Sequence, residues 1–214
     1  MAGERGVGGH SEAWAALRPP DAYRRSRNRR KGGLRPPVAV GVGGAGVFRG
    51  GGAGDAGRRA RGDGVIAFPD TSFLCALYVA QATSAAAVAH YERMEEPLHV
   101  SALLLGEFRQ SVRFQIYRYH QDPKQGYDQR AGLAALAALR ANLDAGALVT
   151  VPTDWAEVFA CAEQISARHT MGAGHRFLDI LHVATARVLG ASEFLSFDEN
   201  QRRLARAEGL AARP

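Results

Sequence analysis

Four acidic residues sit where folding alone gives little reason for them. Asp70 follows the apolar run Val65-Ile66-Ala67-Phe68-Pro69 and precedes Thr71-Ser72-Phe73. Glu107 lies in the otherwise apolar stretch SALLLGEF, residues 101–108. Asp179 lies in RFLDILHVATA, residues 176–186, and Asp198 directly follows Phe194-Leu195-Ser196-Phe197. Each has an ordinary alternative. Asp70 and Asp198 can cap the helices that follow them. Asp179 falls where a helix dipole favours an anion. Glu107 can pair with Arg109 or Arg113. Together they suggest more, because two carboxylates 4 Å apart repel by about 4 kcal/mol at an effective dielectric of 20. A cluster of four calls for protonation or a cation. Hard divalent ions with oxygen ligands answer that need, Mg²⁺ or Mn²⁺ above all where a phosphate adds oxygens of its own.

The elements that carry these acids can be read from period and punctuation. Residues 65–69, 98–100, 148–151 and 193–197 read as short strands. Helices are expected over 71–78, 84–94, 102–119, from Pro123 through 143, from Thr153 or Asp154 to about 169, over 177–189 and over 199–208, with a glycine-containing loop at 171–175. Strands alternating with helices imply an α/β fold with a short, mainly parallel sheet covered on both faces. Ligands of such sheets bind beyond the carboxyl ends of the strands. Asp70 and Asp198 stand at that kind of position, after the first strand and the last. The helix carrying Asp179 is apolar nearly all round, so it should be buried.

Charge divides the chain in two. Residues 1–64 hold 13 of the 27 Lys and Arg, 5 of the 21 Asp and Glu and 17 of the 25 Gly, giving net +8, while residues 65–214 are net −2. The basic character therefore belongs to a Gly/Arg-rich segment with too little apolar surface to order itself. The segment reads either as an RNA-contacting tail, through RRSRNRRK at 24–31, or as the product of a start codon assigned too early. Arg24-Arg25 followed by residues 36–48 is too short and glycine-rich for an export signal. No apolar run reaches the roughly 18 residues of a membrane span, so no membrane partner and a cytoplasmic location are expected. Cys75 and Cys161 are expected to be buried free thiols, and their spacing indicates no zinc site.

At the four acids the sequence resembles the PIN-domain ribonucleases, and within them the VapC-type toxins of toxin–antitoxin pairs. The resemblance covers residues 65–212. It rests on VIAFPDTSFL (65–74), SALLLGEF (101–108), RFLDILHVATA (176–186) and FLSFDENQRRLARAEGL (194–210). It implies a PIN-like three-layer α/β/α sandwich over 65–214. It also implies phosphodiester hydrolysis of RNA with Mg²⁺ or Mn²⁺, and maps the catalytic, metal-binding acids to Asp70, Glu107, Asp179 and Asp198. Supporting hydroxyls map to Thr71 or Ser72 and to Ser196. Arg109, Arg113 and Arg176 are candidate phosphate contacts, with solvated faces as the plainer reading. A cognate antitoxin and a homodimer are implied as partners, with residues 73–78 and 112–119 as docking surfaces. His182 stands where a small or aliphatic residue is commoner. It lies three residues after Asp179, on about the same helix face, and reads as a packed or supporting group rather than a metal ligand.

Two other classes compete. A haloacid dehalogenase-type phosphatase needs a second Asp two residues after the first, where this chain has Ser72. A catalytically silent RNA- or protein-binding module has no need of all four acids. A housekeeping RNA-processing nuclease would share the chemistry.

Overall fold

Five strands of three residues each form the centre of the fold in the computed structural model, which describes residues 66–214. The reading of residues 1–64 lies outside them. Strand β1 (Ala67–Pro69) pairs in parallel with β4 (Glu193–Leu195), which pairs in parallel with β5 (Ala211–Arg213). Strand β2 (Leu98–Val100) pairs in parallel with β3 (Leu148–Thr150), and β1 packs beside β2. The register sets Ala67 opposite Glu193 and Pro69 opposite Leu195, so β1 and β4 end level. The Asp70 amide continues the ladder, donating to the Leu195 carbonyl at 2.9 Å.

Parallel strands require crossovers, and helices supply them: α1 (Thr71–Tyr78), α2 (Ser84–Glu92), α3 (Ala102–Gln121), α4 (Gln129–Ala145), α5 (Trp155–Ala173), α6 (Phe177–Val188) and α7 (Glu199–Ala207). The result is the expected α/β/α sandwich around a small parallel sheet. Phe68 and Phe194 stack across β1 and β4, and Phe73 of α1 stacks on Phe197. Asp70, Ser101, Asp128, Asp154 and Asp198 each cap the following helix by accepting a backbone amide of its first turn, which fixes where those helices begin. Helix α6 is buried continuously from Ile180 through Ala186, as its apolar sequence implies.

The structure departs from the sequence expectations in three elements. Pro123 does not open a helix. The chain loops instead to Asp128, with the Asp122 side chain accepting from the Lys124 amide and the Gln125 side chain. Gly126 in that loop has φ 69°, and a Cβ there would lie 2.1 Å from the Gln115 carbonyl oxygen, so only glycine fits. Helix α5 runs on to Ala173, absorbing much of the expected loop, and Gly174 ends it in the left-handed conformation. Strand β5 was not expected, since AAR carries no apolar alternation. Both cysteines are free but half-buried rather than buried. No described helix is long and apolar enough to cross a membrane.

Glu208, just beyond α7, ties together α5 and α6. Its carboxylate, only 4% exposed, accepts from Arg168 at 2.8 Å and His169 at 2.7 Å on α5, and also pairs with Arg187 on α6. Burial alone would raise its pKa, but the hydrogen bonds from Arg168 and His169 and the charges of Arg168 and Arg187 outweigh it and hold the group below its ordinary value. A depressed carboxyl contributes stability that is present above the unfolded-state pKa and lost as pH falls through the folded-state pKa. Glu208→Gln should therefore lower stability at pH 7 by about 1.5–3 kcal/mol, the range for hydrogen bonds to charged groups. Thermal melts across pH should show that deficit shrinking as the solution is acidified through the glutamate range. A deficit constant with pH would contradict the ion-pair origin.

Candidate active site

The level ends of β1 and β4 bring Asp70 and Ser196 side by side. Asp70 is fully buried. One carboxylate oxygen, Oδ1, accepts from the Phe73 amide at 2.8 Å and from Ser72 Oγ at 2.7 Å. The other, Oδ2, accepts from Ser196 Oγ at 2.6 Å. The two hydroxyls are themselves held by backbone: the Phe197 amide donates to Ser72 Oγ at 2.8 Å and the Asp198 amide to Ser196 Oγ at 2.9 Å. Asp70 is thus more than a helix cap, since its second oxygen reaches across to the neighbouring strand end.

The other acids arrive from three further elements. Glu107 projects from α3, and its Oε2 accepts from Thr71 Oγ1 and from His182 Nε2, the latter at 2.6 Å. Asp179 lies in the first turn of α6, where Gln201 Nε2 of α7 donates to its Oδ1 at 3.0 Å. Asp198 is exposed and caps α7, its Oδ1 accepting from the Asn200 amide at 2.8 Å and the Gln201 amide at 3.1 Å. His182 and Gln201 therefore join acids that are far apart in the chain. Gln201 is a residue that sequence reasoning missed. Its signal was the spacing Asp198-x-x-Gln201, which resembles a reciprocal helix cap, but the amide turns to Asp179 instead.

The electrostatics record the crowding. Burial pushes the Asp70 carboxyl up to about 6, with hydrogen bonds from Ser196, Phe73 and Ser72 offsetting only part of the rise. Asp179 is also raised, first by burial and next by the charge of Asp198, with Glu107 adding to it and Arg176 and His182 opposing. At Glu107, burial is outweighed by the hydrogen bonds from His182 and Thr71, and the net direction is down. The charges of Asp198 and Glu107 that act on Asp179 mark those three acids as neighbours, and Asp70 feels the charge of the same His182 that bonds Glu107.

Among the described residues, no three His, Cys, Asp or Glu side chains stand close enough to form a ready-made metal centre. Hydroxyl, amide and imidazole donors hold the acids instead. The donor set nevertheless suits a hard divalent ion. Glu107 Oε1, Asp179 Oδ2 and Asp198 Oδ2 accept no hydrogen bond from the described residues, and Gln201 Oε1 is buried without a partner. These are all oxygen donors, the chemistry that Mg²⁺ and Mn²⁺ select.

The candidate phosphate contacts separate. Arg176 precedes α6, is exposed, and acts on Asp179 through its charge. Arg113 is exposed on α3. Arg109 instead lines a cavity of about 650 Å³ with Leu105, Arg140, Asp144 and residues of β3, and none of the four acids lines that cavity. The expected docking surfaces also divide. Phe73, Leu74, Leu77 and Tyr78 are core residues and offer no groove, whereas Phe114 and Tyr117 on α3 are exposed and stacked on each other.

The model of the PIN domain family matches residues 67–207. No curated protein matches the chain. Among solved structures, the chain is similar to VapC20 of Mycobacterium tuberculosis, a sarcin-ricin loop cleaving toxin, at 23% identity over 69% of this chain and 99% of that one, with a TM-score of 0.49. It is similar to FitAcB from Neisseria gonorrhoeae at 16% identity over 70% and 97% of the two chains, TM-score 0.47. It is also similar to PAE2754 from Pyrobaculum aerophilum at 16% identity over 69% and 89%, TM-score 0.43.

A carboxyl whose pKa is raised by folding stabilises the fold fully only below its unfolded-state value, and that contribution is lost as pH rises through the folded-state value. For Asp70 the loss runs from about 4 to about 6. Asp70→Asn keeps a capping side chain without the buried charge. Measured without divalent ions, Asp70→Asn should match wild type in stability below pH 4 and exceed it at pH 7.5, by on the order of 3 kcal/mol. Equal stability at both pH values would remove the burial argument.

Proposed function

The chain belongs to the PIN domain family, and from that premise we propose that it is a nuclease, specifically a metal-dependent endoribonuclease that hydrolyses RNA phosphodiester bonds. The observation that carries the reading is the convergence at one sheet edge of acids from the ends of β1 and β4 and from α3 and α6. One of them, Asp70, is buried with a carboxyl pushed up to about 6. A stable fold has no need to bury that charge, whereas a cation-dependent reaction does.

Asp70 and Asp179 are the direct metal ligands in this reading, with Glu107 and Asp198 binding directly or through water. A bound Mg²⁺ or Mn²⁺ supplies charge neutralisation at the scissile phosphate and a more acidic attacking water. The chain's own groups hold the arrangement. Ser72 and Ser196 fix both oxygens of Asp70, and Thr71 and His182 fix one oxygen of Glu107. Gln201 fixes one oxygen of Asp179 and leaves the other open. Arg176, beside Asp179, neutralises phosphate charge at the entrance. Arg113, one turn after Arg109 on the same face of α3, belongs to this set by sequence alone, as does Arg109.

The biological role that fits is the toxin of a toxin–antitoxin pair, acting in the cytoplasm, homodimeric by family resemblance, and restrained by a cognate antitoxin that brings a basic side chain to the acids. The stacked Phe114–Tyr117 pair is an exposed apolar surface within residues 112–119 that such a partner can cover. Arrest of growth on induced expression, relieved by co-expression of the neighbouring gene, supports this role. Unaffected growth would favour a housekeeping nuclease with the same chemistry.

Purified protein should cleave RNA with Mg²⁺ or Mn²⁺ and lose that activity in excess EDTA. Asp70→Asn should reduce cleavage by at least about a thousandfold, and Mn²⁺ should raise the melting temperature of wild type but not of Asp70→Asn, as linkage demands of a ligand that binds only the native site. Cleavage surviving EDTA, or a fully active Asn variant, contradicts the mechanism.

A further inference from the structure

His182 departs from the small or aliphatic residue the family resemblance leads one to expect, and its surroundings give the departure a purpose. The imidazole is 1% exposed on α6, one turn after Asp179. Its Nε2 donates to Glu107 Oε2 at 2.6 Å, while its Nδ1 is buried with no partner among the described residues. Burying an imidazole with one nitrogen unsatisfied is unfavourable, and an aliphatic side chain would occupy the position without that cost. The structure keeps the histidine where its one bond goes to a carboxylate of the candidate site.

Thr71 Oγ1 donates to the same Glu107 oxygen from α1. Two donors, from helices far apart in the chain, thus converge on Oε2 and leave Oε1 open. A glutamate side chain otherwise loses rotamer freedom when it is fixed, so preorganising it removes a cost from ligand binding. Resting on the nuclease reading above, we infer that His182 is a positioning residue: it locks Glu107 so that the free oxygen Oε1 is presented for the divalent ion. Because Asp179 and His182 share one helix face, the same helix sets two acids from separate parts of the chain in fixed relation.

The test is Mn²⁺ titration of the full chain without RNA, followed by calorimetry or by the electron paramagnetic resonance of free Mn²⁺. His182→Leu should bind Mn²⁺ about 10–100-fold more weakly, the usual effect of removing a group that orients a metal ligand. His182→Gln, whose amide can reach Glu107, should recover most of that affinity. His182→Asn, polar but too short, should behave like the Leu variant and serves in its place if Leu fails to fold. In a Glu107→Gln background, His182→Leu should have little further effect. Single-turnover cleavage should fall in parallel with the loss of Mn²⁺ affinity, with KM for RNA little changed. Wild-type affinity in folded His182→Leu or His182→Asn, or an undiminished loss in the Glu107→Gln background, overturns the inference alone. Absence of saturable Mn²⁺ binding by the wild-type chain overturns the nuclease reading and this inference with it.

Discussion

The arrangement depends on a carboxylate buried at the level ends of β1 and β4. Asp70 is out of contact with solvent, and three donors share its two oxygens. Those hydrogen bonds do not offset desolvation, so the carboxyl sits near 6 instead of near 4. The charged form is held in place by packing around it. Around it Ser72 and Ser196 hold Asp70 in place, while Glu107, Asp179 and Asp198 add negative charge that Arg176 and His182 offset only in part at Asp179.

The fold meets that constraint with short elements. The strands need only three residues each, because their task is to set chain directions and end level. From those ends the turns into α1 and α7 place Asp70 and Asp198. Helices α3 and α6 then bring Glu107 and Asp179 from the sides. Glu208 fastens α5 and α6 beside the end of α7, remote from the chemistry but fixing the elements that carry it. Hydroxyl and amide groups from Thr71, Ser72, Ser196 and Gln201 orient three of the acids without neutralising them.

Much of this was legible in the sequence, for identifiable reasons. Apolar runs ending in Asp70 and Asp198 marked strand ends, and Gly190 and Gly209, just past the helices expected to end at 189 and 208, carry the positive φ of a helix stop. The all-round apolar character of α6 announced its burial. What was missed depends on pairing between distant residues. Strand β5 exists because its backbone completes the edge of β4, and nothing in Ala211–Arg213 encodes that locally. Pro123 carries a helix-start signal that the loop around Gly126 overrides. The partners of His182 and Gln201 are 75 and 22 residues away, beyond any local pattern. Arg109 lines a separate cavity because it lies two residues past Glu107, which on a helix is a different face.

The central claim is that Asp70 is held charged at a cost which a divalent cation removes. Carbon-13 NMR of the aspartate carboxyls, titrated with and without Mg²⁺, measures this directly. The account predicts that Asp70 titrates near 6 in the metal-free protein and well below its ordinary value when Mg²⁺ is saturating. Titration near 4 without the ion, or a midpoint that Mg²⁺ leaves unmoved, would contradict it.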